Sequence, residues 1–365
     1  MRNVPKLRFK EVSEEWEEKK LGEVLKIGNG KDYKNLEQGE IPVYGTGGLI
    51  TKVNDYLYNG ESVGIGRKGT INKPMFLTGK FWTVDTLFYT YDFNNSIPKF
   101  IYYIFNNIDW LSYNEATGVP SLSKSTILKI KSFVPDLQEQ QKIADFLSSV
   151  DKKISITEEK LDLFKKYKKG IMQKIFNQEL RFKDSNNNDY PEWEEKRLGD
   201  ISSISAGGDI KKENFSENKT GEFKIPIYAN SLEKNGLYGY SNIFKVEGES
   251  ITVTARGNIG VATYRNENYV PIVRLLVIKM DSAKYSHKYF SYFINTIKII
   301  QEVTGVPQLT APQLREYKAI YPISLEEQEK IANFLSSIDN KIDNLAAELE
   351  DLKEFKKGLL QQMFV

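Results

Sequence analysis

Ile143-Ala144-Asp145-Phe146-Leu147-Ser148-Ser149-Val150-Asp151-Lys152-Lys153-Ile154 returns later in the chain as Ile331-Ala332-Asn333-Phe334-Leu335-Ser336-Ser337-Ile338-Asp339-Asn340-Lys341-Ile342, identical at nine of twelve positions. Each copy follows a Thr-Gly-Val-Pro turn, at 117–120 and 304–307. Upstream, Trp16-Glu17-Glu18-Lys19-Lys20-Leu21-Gly22 reappears as Trp193-Glu194-Glu195-Lys196-Arg197-Leu198-Gly199. The period is nearly half the chain, far above that of solenoid repeats, so a whole domain-plus-helix unit is duplicated. Between the matching blocks the two halves differ strongly. A duplicated frame with unlike inserts suits a protein that presents two different reading surfaces.

After Pro135 and Pro322 the apolar residues follow a heptad. In the first copy they are Ile143, Leu147, Val150, Ile154, Leu161, Phe164, Ile171 and Ile175. In the second they are Ile331, Leu335, Ile338, Ile342, Leu345, Leu349, Leu352, Leu359 and Met363. Alternating spacings of three and four predict helices with a coiled-coil seam. The first would be roughly 58 Å long at ~1.5 Å per residue. So long a seam needs a partner, and the matching helix is the other copy. The pairing is expected to be antiparallel, with a pseudo-twofold axis and one globule at each end.

Upstream of each helix the sequence is turn-rich and strand-like. Ile41-Pro42-Val43-Tyr44, Ser62-Val63-Gly64-Ile65-Gly66 and Leu87-Phe88-Tyr89-Thr90-Tyr91 have counterparts in Ile225-Pro226-Ile227-Tyr228, Ser250-Ile251-Thr252-Val253-Thr254 and Arg274-Leu275-Leu276-Val277-Ile278. Helical spacing follows at 98–113 and 285–303. The expected class is α+β: two mixed α/β domains, 1–136 and 182–323, joined by long helices at 137–181 and 324–365 in a pseudo-twofold tandem repeat. Residues 185–189 read as a polar link between the halves.

The chain's 365 residues, 40% hydrophobic and 27% charged, suffice for two domains with real cores. No apolar run approaches the ~20 residues needed to cross a bilayer. The N-terminus lacks the apolar stretch of a secretory signal. Cysteine is absent, which removes disulfides, thiolate nucleophiles and cysteine-bound metals. A cytoplasmic location is the simple expectation. A net charge of +2 argues against coating DNA by charge alone, but not against clustered basic residues on one face.

The tandem order, the Thr-Gly-Val-Pro turn and the helix start Gln-x-x-Ile-Ala-x-Phe-Leu-x-x-Ile/Val-Asp resemble the specificity subunit of type I restriction–modification systems. The endings Lys168-Lys169-Gly170-Ile171-Met172-Gln173 and Lys356-Lys357-Gly358-Leu359-Leu360-Gln361 carry the same resemblance, which covers nearly the whole chain. The unlike inserts resemble that family's two target recognition domains, each reading its own half of a split DNA sequence. The resemblance implies no catalysis and no cofactor on this chain. It implies double-stranded DNA, two methyltransferase (modification) subunits and restriction subunits as partners. S-adenosylmethionine, ATP and magnesium would belong to those partners, whose methyl acceptor would be adenine N6. One departure is a second helix that ends at Val365, with no segment completing a circular repeat, unless residues 1–10 pack beside it.

Direct readout favours Arg or Lys on guanine and Asn or Gln on adenine. Candidate DNA-binding residues fall on loops at equivalent places in both halves: Tyr44, Thr46, Arg67, Lys68 and Lys73 in the first, Tyr228, Asn230, Ser231, Arg256, Asn258 and Arg265 in the second. Arg67 and Arg256 have a second reading, as anchors of a duplicated turn through backbone carbonyls. Two unlike globules on a twofold frame would read an asymmetric site with half-sites about one helical turn (~34–36 Å) or more apart.

Other motifs weigh less. Gly64-Ile65-Gly66-Arg67-Lys68-Gly69 matches a dinucleotide fingerprint, but Thr70-Ile71-Asn72-Lys73-Pro74 reads as strand and turn where a helix would be required. Pro135-Asp136 with Glu158-Glu159-Lys160 resembles a nuclease motif, yet Glu158 falls inside the long helix and the second copy lacks it. His287, the only histidine, cannot build a triad or zinc cluster and is expected on a helix surface. The chain has no adenine-flipping Asn/Asp-Pro-Pro-Tyr motif and no P-loop. Lys165-Lys166-Tyr167-Lys168-Lys169 fits either a helix C-terminus or DNA backbone. Gly170 and Gly358, each costing about 1 kcal/mol within a helix, imply close helix approach or a docking notch. The alternatives to DNA reading are an enzyme, which the missing motifs oppose, and a protein-binding scaffold with two divergent lobes.

Overall fold

A computed structural model describes residues 4–11, 14–299 and 307–365. The chain divides into two units, residues 1–159 with 346–365, and residues 160–345. Thr304, Gly305 and Val306 of the second Thr-Gly-Val-Pro turn lie outside the described residues.

Unit 1 opens with strand Glu17–Lys20, which pairs antiparallel with Lys131–Val134 and so joins the start of the lobe to its end. Helix α1 (Leu21–Val24) follows. One four-stranded sheet runs in the order Lys26–Asn29, Leu87–Tyr91, Ser62–Gly66, Met75–Leu77; a second runs Gly48–Val53, Gln38–Gly45, Lys80–Thr83, Tyr58–Asn59. Helix α2 (Pro98–Asn107) buries Phe100, Ile101, Tyr103, Ile104 and Phe105. Those spacings of three and four place one apolar face toward the first sheet. Pro98 sits at the first helical turn, where its missing N–H is no loss. Helix α3 (Lys124–Lys129) is capped by Ser123, whose hydroxyl accepts from Thr126 N–H.

Unit 2 repeats this plan. Strand Trp193–Arg197 pairs with Lys318–Pro322, and α5 (Leu198–Ile201) follows it as α1 follows its strand. Its four-stranded sheet runs Ser202–Ala206, Leu276–Met280, Ser250–Val253, Ala262–Arg265, and a three-stranded sheet Leu237–Ser241, Ile225–Tyr228, Val270–Pro271. Each lobe pairs two strands in parallel at the same place, Val43 with Trp82 and Ile227 with Val270. Helix α6 (His287–Ile294) corresponds to α2, and α7 (Ala311–Arg315) to α3. Unlike inserts therefore share one topology.

The two 40- and 39-residue helices are α4 (Leu137–Phe176) and α8 (Leu325–Met363). Every residue of the predicted seam is buried or half-buried. In unit 1, Ile143, Leu147 and Val150 of early α4 pack in one core with Leu359, Met363 and Phe364 at the end of α8. In unit 2, Ile175 of late α4 packs with Ile331, Leu335 and Ile338 of early α8. Within each unit the two helices thus run in opposite senses. Ion pairs follow the same sense, Asp151 with Lys356 at 2.6 Å in unit 1 and Asp339 with Lys168 at 2.5 Å in unit 2.

The repeated helix start fastens each helix to its lobe. Gln140 donates to Pro135 O (2.9 Å) and Asn95 O (3.0 Å) and accepts from Ile97 N–H (2.9 Å). Gln328 does the same with Pro322 O, Lys284 O and Ser286 N–H. One residue earlier, Glu139 and Glu327 are fully buried. Arg8 and the Trp16 indole bind Glu139; Arg181 and the Trp193 indole bind Glu327. Leu7 N–H donates to Gln362 O at the end of α8 (2.9 Å), as Leu180 N–H donates to Lys174 O at the end of α4 (3.1 Å). Residues 4–11 thereby occupy in unit 1 the place that the chain following α4 occupies in unit 2.

Several expectations are corrected. The helix expected over 98–113 ends at Asn107 and resumes as a 3₁₀ turn at Trp110–Tyr113, capped by the Asp109 carboxylate. Of the helix expected over 285–303, residues 300–303 lie outside the described residues; α6 stops at Ile294 because the Asn295 amide turns to bind Ala262 N–H and C=O. The strand expected from Arg274 begins at Leu276, since Val273 and Arg274 have positive φ. Residues 185–189 are a tight turn within unit 2, closed by the Asp184 carboxylate on the N–H groups of Asn186 and Asn188.

His287, expected on a surface, is 1% exposed. Its Nε2 accepts from Met280 N–H (3.0 Å), which places the neutral ring's proton on Nδ1, 3.6 Å from the Glu249 carboxylate. Burial lowers its pKa below the ordinary 6.5, outweighing the Glu249 charge. The unfolded chain therefore binds the proton first as pH falls. Unit 2 is expected to be fully stable above pH 6.5 and to weaken below it. In His287→Gln, which keeps an acceptor for Met280 N–H, thermal melts between pH 7.5 and 5.5 should show a smaller decline. Equal declines in both proteins would contradict this.

Candidate nucleic-acid interface

In unit 1 two candidate loops converge. The hairpin of Gln38–Gly45 and Gly48–Val53 turns through Thr46 and Gly47, and its tip lies beside the 67–70 turn: a Cβ placed on Gly69 would be 3.6 Å from Thr46 Oγ1. Strand Ser62–Gly66 leads into that turn with no space for a side chain at Gly66, where a Cβ would meet Thr70 O at 2.2 Å. Gly69 adopts φ +97°, so the would-be dinucleotide fingerprint is a strand and a tight turn. Backbone bonds fix the turn: Arg67 N–H to Thr86 O (2.8 Å), Gly69 N–H to Pro120 O (2.8 Å), Leu122 N–H to Arg67 O (2.9 Å). The Thr-Gly-Val-Pro turn is thus the wall against which the basic loop is built.

These walls enclose an open groove of about 670 Å³ lined by Asn29, Arg67, Lys68, Phe88, Val119 and Lys124 among others, with no acidic side chain in its lining. The Glu115 carboxylate, outside that lining, accepts from Thr126 and Ser123, and these bonds hold its pKa below the usual range. The Arg67 guanidinium and the Lys124 ammonium each lie 5.9 Å from the Phe88 ring centroid. Burial, and then the charge of Arg67, lower the Lys124 pKa. Among the described residues, no hydrogen bond or ion pair holds the Arg67 guanidinium or the ammonium groups of Lys68 and Lys124. Three cations share one concavity without a counter-charge, an arrangement suited to phosphate oxygens. Lys73 is exposed beyond the groove, and Tyr44 is half-buried in its strand.

Unit 2 also brings its two loops together, through Asn230, whose Oδ1 accepts from Ala255 N–H (2.6 Å) while Nδ2 donates to Val273 O (2.5 Å). That amide is a structural clasp and not a free reader. Tyr228 and Arg265 are likewise corrected. Tyr228 is buried with its hydroxyl on Glu267 (2.7 Å). Arg265 is 5% exposed, stacked 3.6 Å from the Tyr228 ring centroid, and bound to Thr252 Oγ1 and Asn235 O. Burial lowers its pKa. Arg265 is the arginine that anchors a turn through a carbonyl. The exposed candidates are Ser231, whose hydroxyl accepts from Glu233 N–H, together with Arg256 and Asn258. Arg256 donates from Nε and Nη2 to Gln308 Oε1 (3.1 and 2.9 Å).

Lys165 and Lys169 line a further cleft of about 600 Å³ in unit 2 beside Tyr292 and Asn295. Lys168 there is already paired with Asp339, and Lys166 with Asp162. α4 continues to Phe176, so these lysines lie before its last turn, where the helix dipole no longer reaches. Neither Gly170 nor Gly358 has any atom within 4 Å of a hypothetical Cβ. Close helix approach therefore does not account for them.

Sequence reasoning missed Arg8, Arg181, Glu139, Glu327 and Gln308. The first four carried a legible signal, because Leu7-Arg8-Phe9-Lys10 recurs as Leu180-Arg181-Phe182-Lys183 and Glu precedes the repeated Gln in both copies. Gln308 carried none, since its role depends on a contact with a residue 52 positions away. Among the described residues, no helix is long and apolar enough to cross a membrane.

The family model described as the type I restriction modification DNA specificity domain matches residues 13–166 and again 190–354. A Mycoplasma pneumoniae protein named provisionally as a type I specificity subunit is 26% identical over 325 residues, 84% of each chain. The type I restriction enzyme MjaVIII specificity subunit of Methanocaldococcus jannaschii is 25% identical over 412 residues, 98% of this chain and 94% of that one. The crystal structure of a type I restriction–modification system S subunit from M. genitalium superposes with a TM-score of 0.73 at 16% identity, covering 99% of both chains; that likeness is of fold.

Proposed function

The chain belongs to the type I restriction–modification DNA specificity family, a non-catalytic subunit class, and from that premise we propose that its two lobes read an asymmetric, two-part DNA site. The observation that carries the reading is the unpaired cation groove of unit 1, built on a turn whose counterpart in unit 2 displays Arg256 and Asn258. One topology with different loop chemistry reads two different half-sites. The reading lobes require no cofactor. S-adenosylmethionine, ATP and magnesium act on partner subunits, two methyltransferases modifying adenine N6 and the restriction subunits joining them. Methylation mapping of a host expressing the chain with its methyltransferase tests this directly. A split, asymmetric modified motif that disappears when the chain is omitted is expected; motif-free modification would refute it.

The open flanks of Gly170 and Gly358 support methyltransferase docking along the long helices. A Cβ at position 358 meets no atom within 4 Å in the free chain, and Gly358→Leu improves helix propensity by somewhat under ~1 kcal/mol. The isolated variant should therefore melt no lower than the parent, while methyltransferase co-purification falls. Undiminished co-purification would reject the docking notch.

A further inference from the structure

Resting on the DNA-reading function proposed above, we infer that Gln308 is a positioning residue that aims the Arg256 guanidinium at a guanine edge, so that unit 2 reads this base by a preset fork while the matching position in unit 1 does not.

The equivalence of the two loops is set by backbone bonds. Leu309 N–H donates to Ala255 O (2.9 Å) as Leu122 N–H donates to Arg67 O (2.9 Å). Arg67 thus corresponds to Ala255, and Lys68 to Arg256. Gly69 and Gly257, with φ of +97° and +68°, close the same turn. One residue before each leucine stands the neighbour of the displayed cation, Ser121 beside Lys68 and Gln308 beside Arg256.

That one difference changes the chemistry of the position. In unit 1 Ser121 and Lys68 share only a backbone bridge, and no side-chain bond holds the ammonium. In unit 2 Gln308 Oε1 accepts from both Nε and Nη2 of Arg256, at 3.1 and 2.9 Å. A guanidinium has five N–H donors in one plane, so fixing two through a single acceptor orients the plane and leaves three free. Those at Nη1 and the outward Nη2 hydrogen suit the O6 and N7 of guanine, the commonest bidentate pairing in the major groove.

The backbone beneath is equally constrained. Ala255 N–H is held by Asn230 and Ala255 O by Leu309 N–H. Thr254 hydroxyl bonds Asn258 O and accepts from Val261 N–H, closing the turn from the other side. Gly257 has no atom within 4 Å of a hypothetical Cβ, so the chain past Arg256 leaves room for a groove wall to approach. A fixed loop carrying a fixed fork orders little on binding, which favours discrimination. Arg67, held by no such partner, is left to neutralise phosphate.

The test uses the full chain assembled with its methyltransferase subunits, selecting from a randomised duplex library. The wild-type complex is expected to enrich a two-part sequence with a guanine in the part read by unit 2. Gln308→Ala should lower the preference for that one guanine by roughly 5- to 150-fold, the worth of one bidentate pair, at an unchanged salt slope because no charge is removed. Gln308→Glu, which keeps an acceptor for the same two donors, should restore the preference. Arg256→Lys, which has no fork, should lose it. Full guanine preference in Gln308→Ala would overturn the inference. So would an Arg256→Ala variant that weakens all sequences alike and lowers the salt slope by about 0.9, the mark of a phosphate contact. A wild-type complex that enriches no sequence would sink the DNA-reading function itself, and this inference with it.

Discussion

Arg8→Ala is expected to destabilise unit 1 by about 3–5 kcal/mol, the cost of leaving a buried charge without its partner. Arg8 holds both carboxylate oxygens of Glu139 at 2.7 Å, and Glu139 is 1% exposed. After truncation the carboxylate retains the Trp16 indole N–H (3.1 Å) and the favourable N-terminus of α4, so the lower end of that range is expected. Because the chain has two units, a single unfolding free energy would blur the effect. Hydrogen exchange resolves it: amides of α2 should lose roughly 100-fold or more in protection while those of α6 keep theirs. Arg181→Ala should produce the mirror result through Glu327. Replacing both members, Arg8→Met with Glu139→Leu, should recover part of the loss, since the apolar pair buries no charge but leaves the Trp16 indole N–H without its acceptor. Unchanged α2 protection in Arg8→Ala would mean that Glu139 does not fasten α4 to its lobe.

This clasp also shows where the sequence was readable and where it was not. The seam of α4 and α8 was legible because burial on a helix is written in one dimension, as spacings of three and four. The repeated Gln140 and Gln328 could be seen as a motif, but not that each would satisfy two carbonyls and an N–H in its lobe. That requires knowing which strand ends meet the helix. The candidate loops fall on turns, and each lobe brings its own pair together. Within them, residue type misled. Arg265, Tyr228 and Asn230 have the chemistry of base readers, yet the fold spends their donors and acceptors on its own backbone and on Glu267. An arginine at the end of a strand looks the same in sequence whether it points at solvent or at a neighbouring ring. The register between halves was equally hidden. Arg67 and Arg256 look like counterparts by residue type, but the leucine N–H bonds show a one-residue offset.

The groove of unit 1 yields the second large expected effect. If Arg67, Lys68 and Lys124 each contact a phosphate, their joint replacement by alanine should flatten the dependence of log affinity on log salt by about 2.7. The same relation gives a factor of about five per contact near 0.15 M salt, so binding of the assembled complex should weaken by about 10²-fold. The loss should be equal for matched and mismatched second half-sites, because phosphate contacts carry no sequence information. Removal of Lys19, Lys20 and Lys131 takes the same charge from the two-stranded sheet, where Lys19 and Lys131 are already paired with Glu17 and Glu18. That control should leave the slope nearly unchanged. Net charge alone would make the two triple variants alike, whereas a built groove makes them differ, since its three cations stand together with no acid in the lining. Equal slopes would remove the groove from the interface and leave the lobe's contact surface to be sought elsewhere.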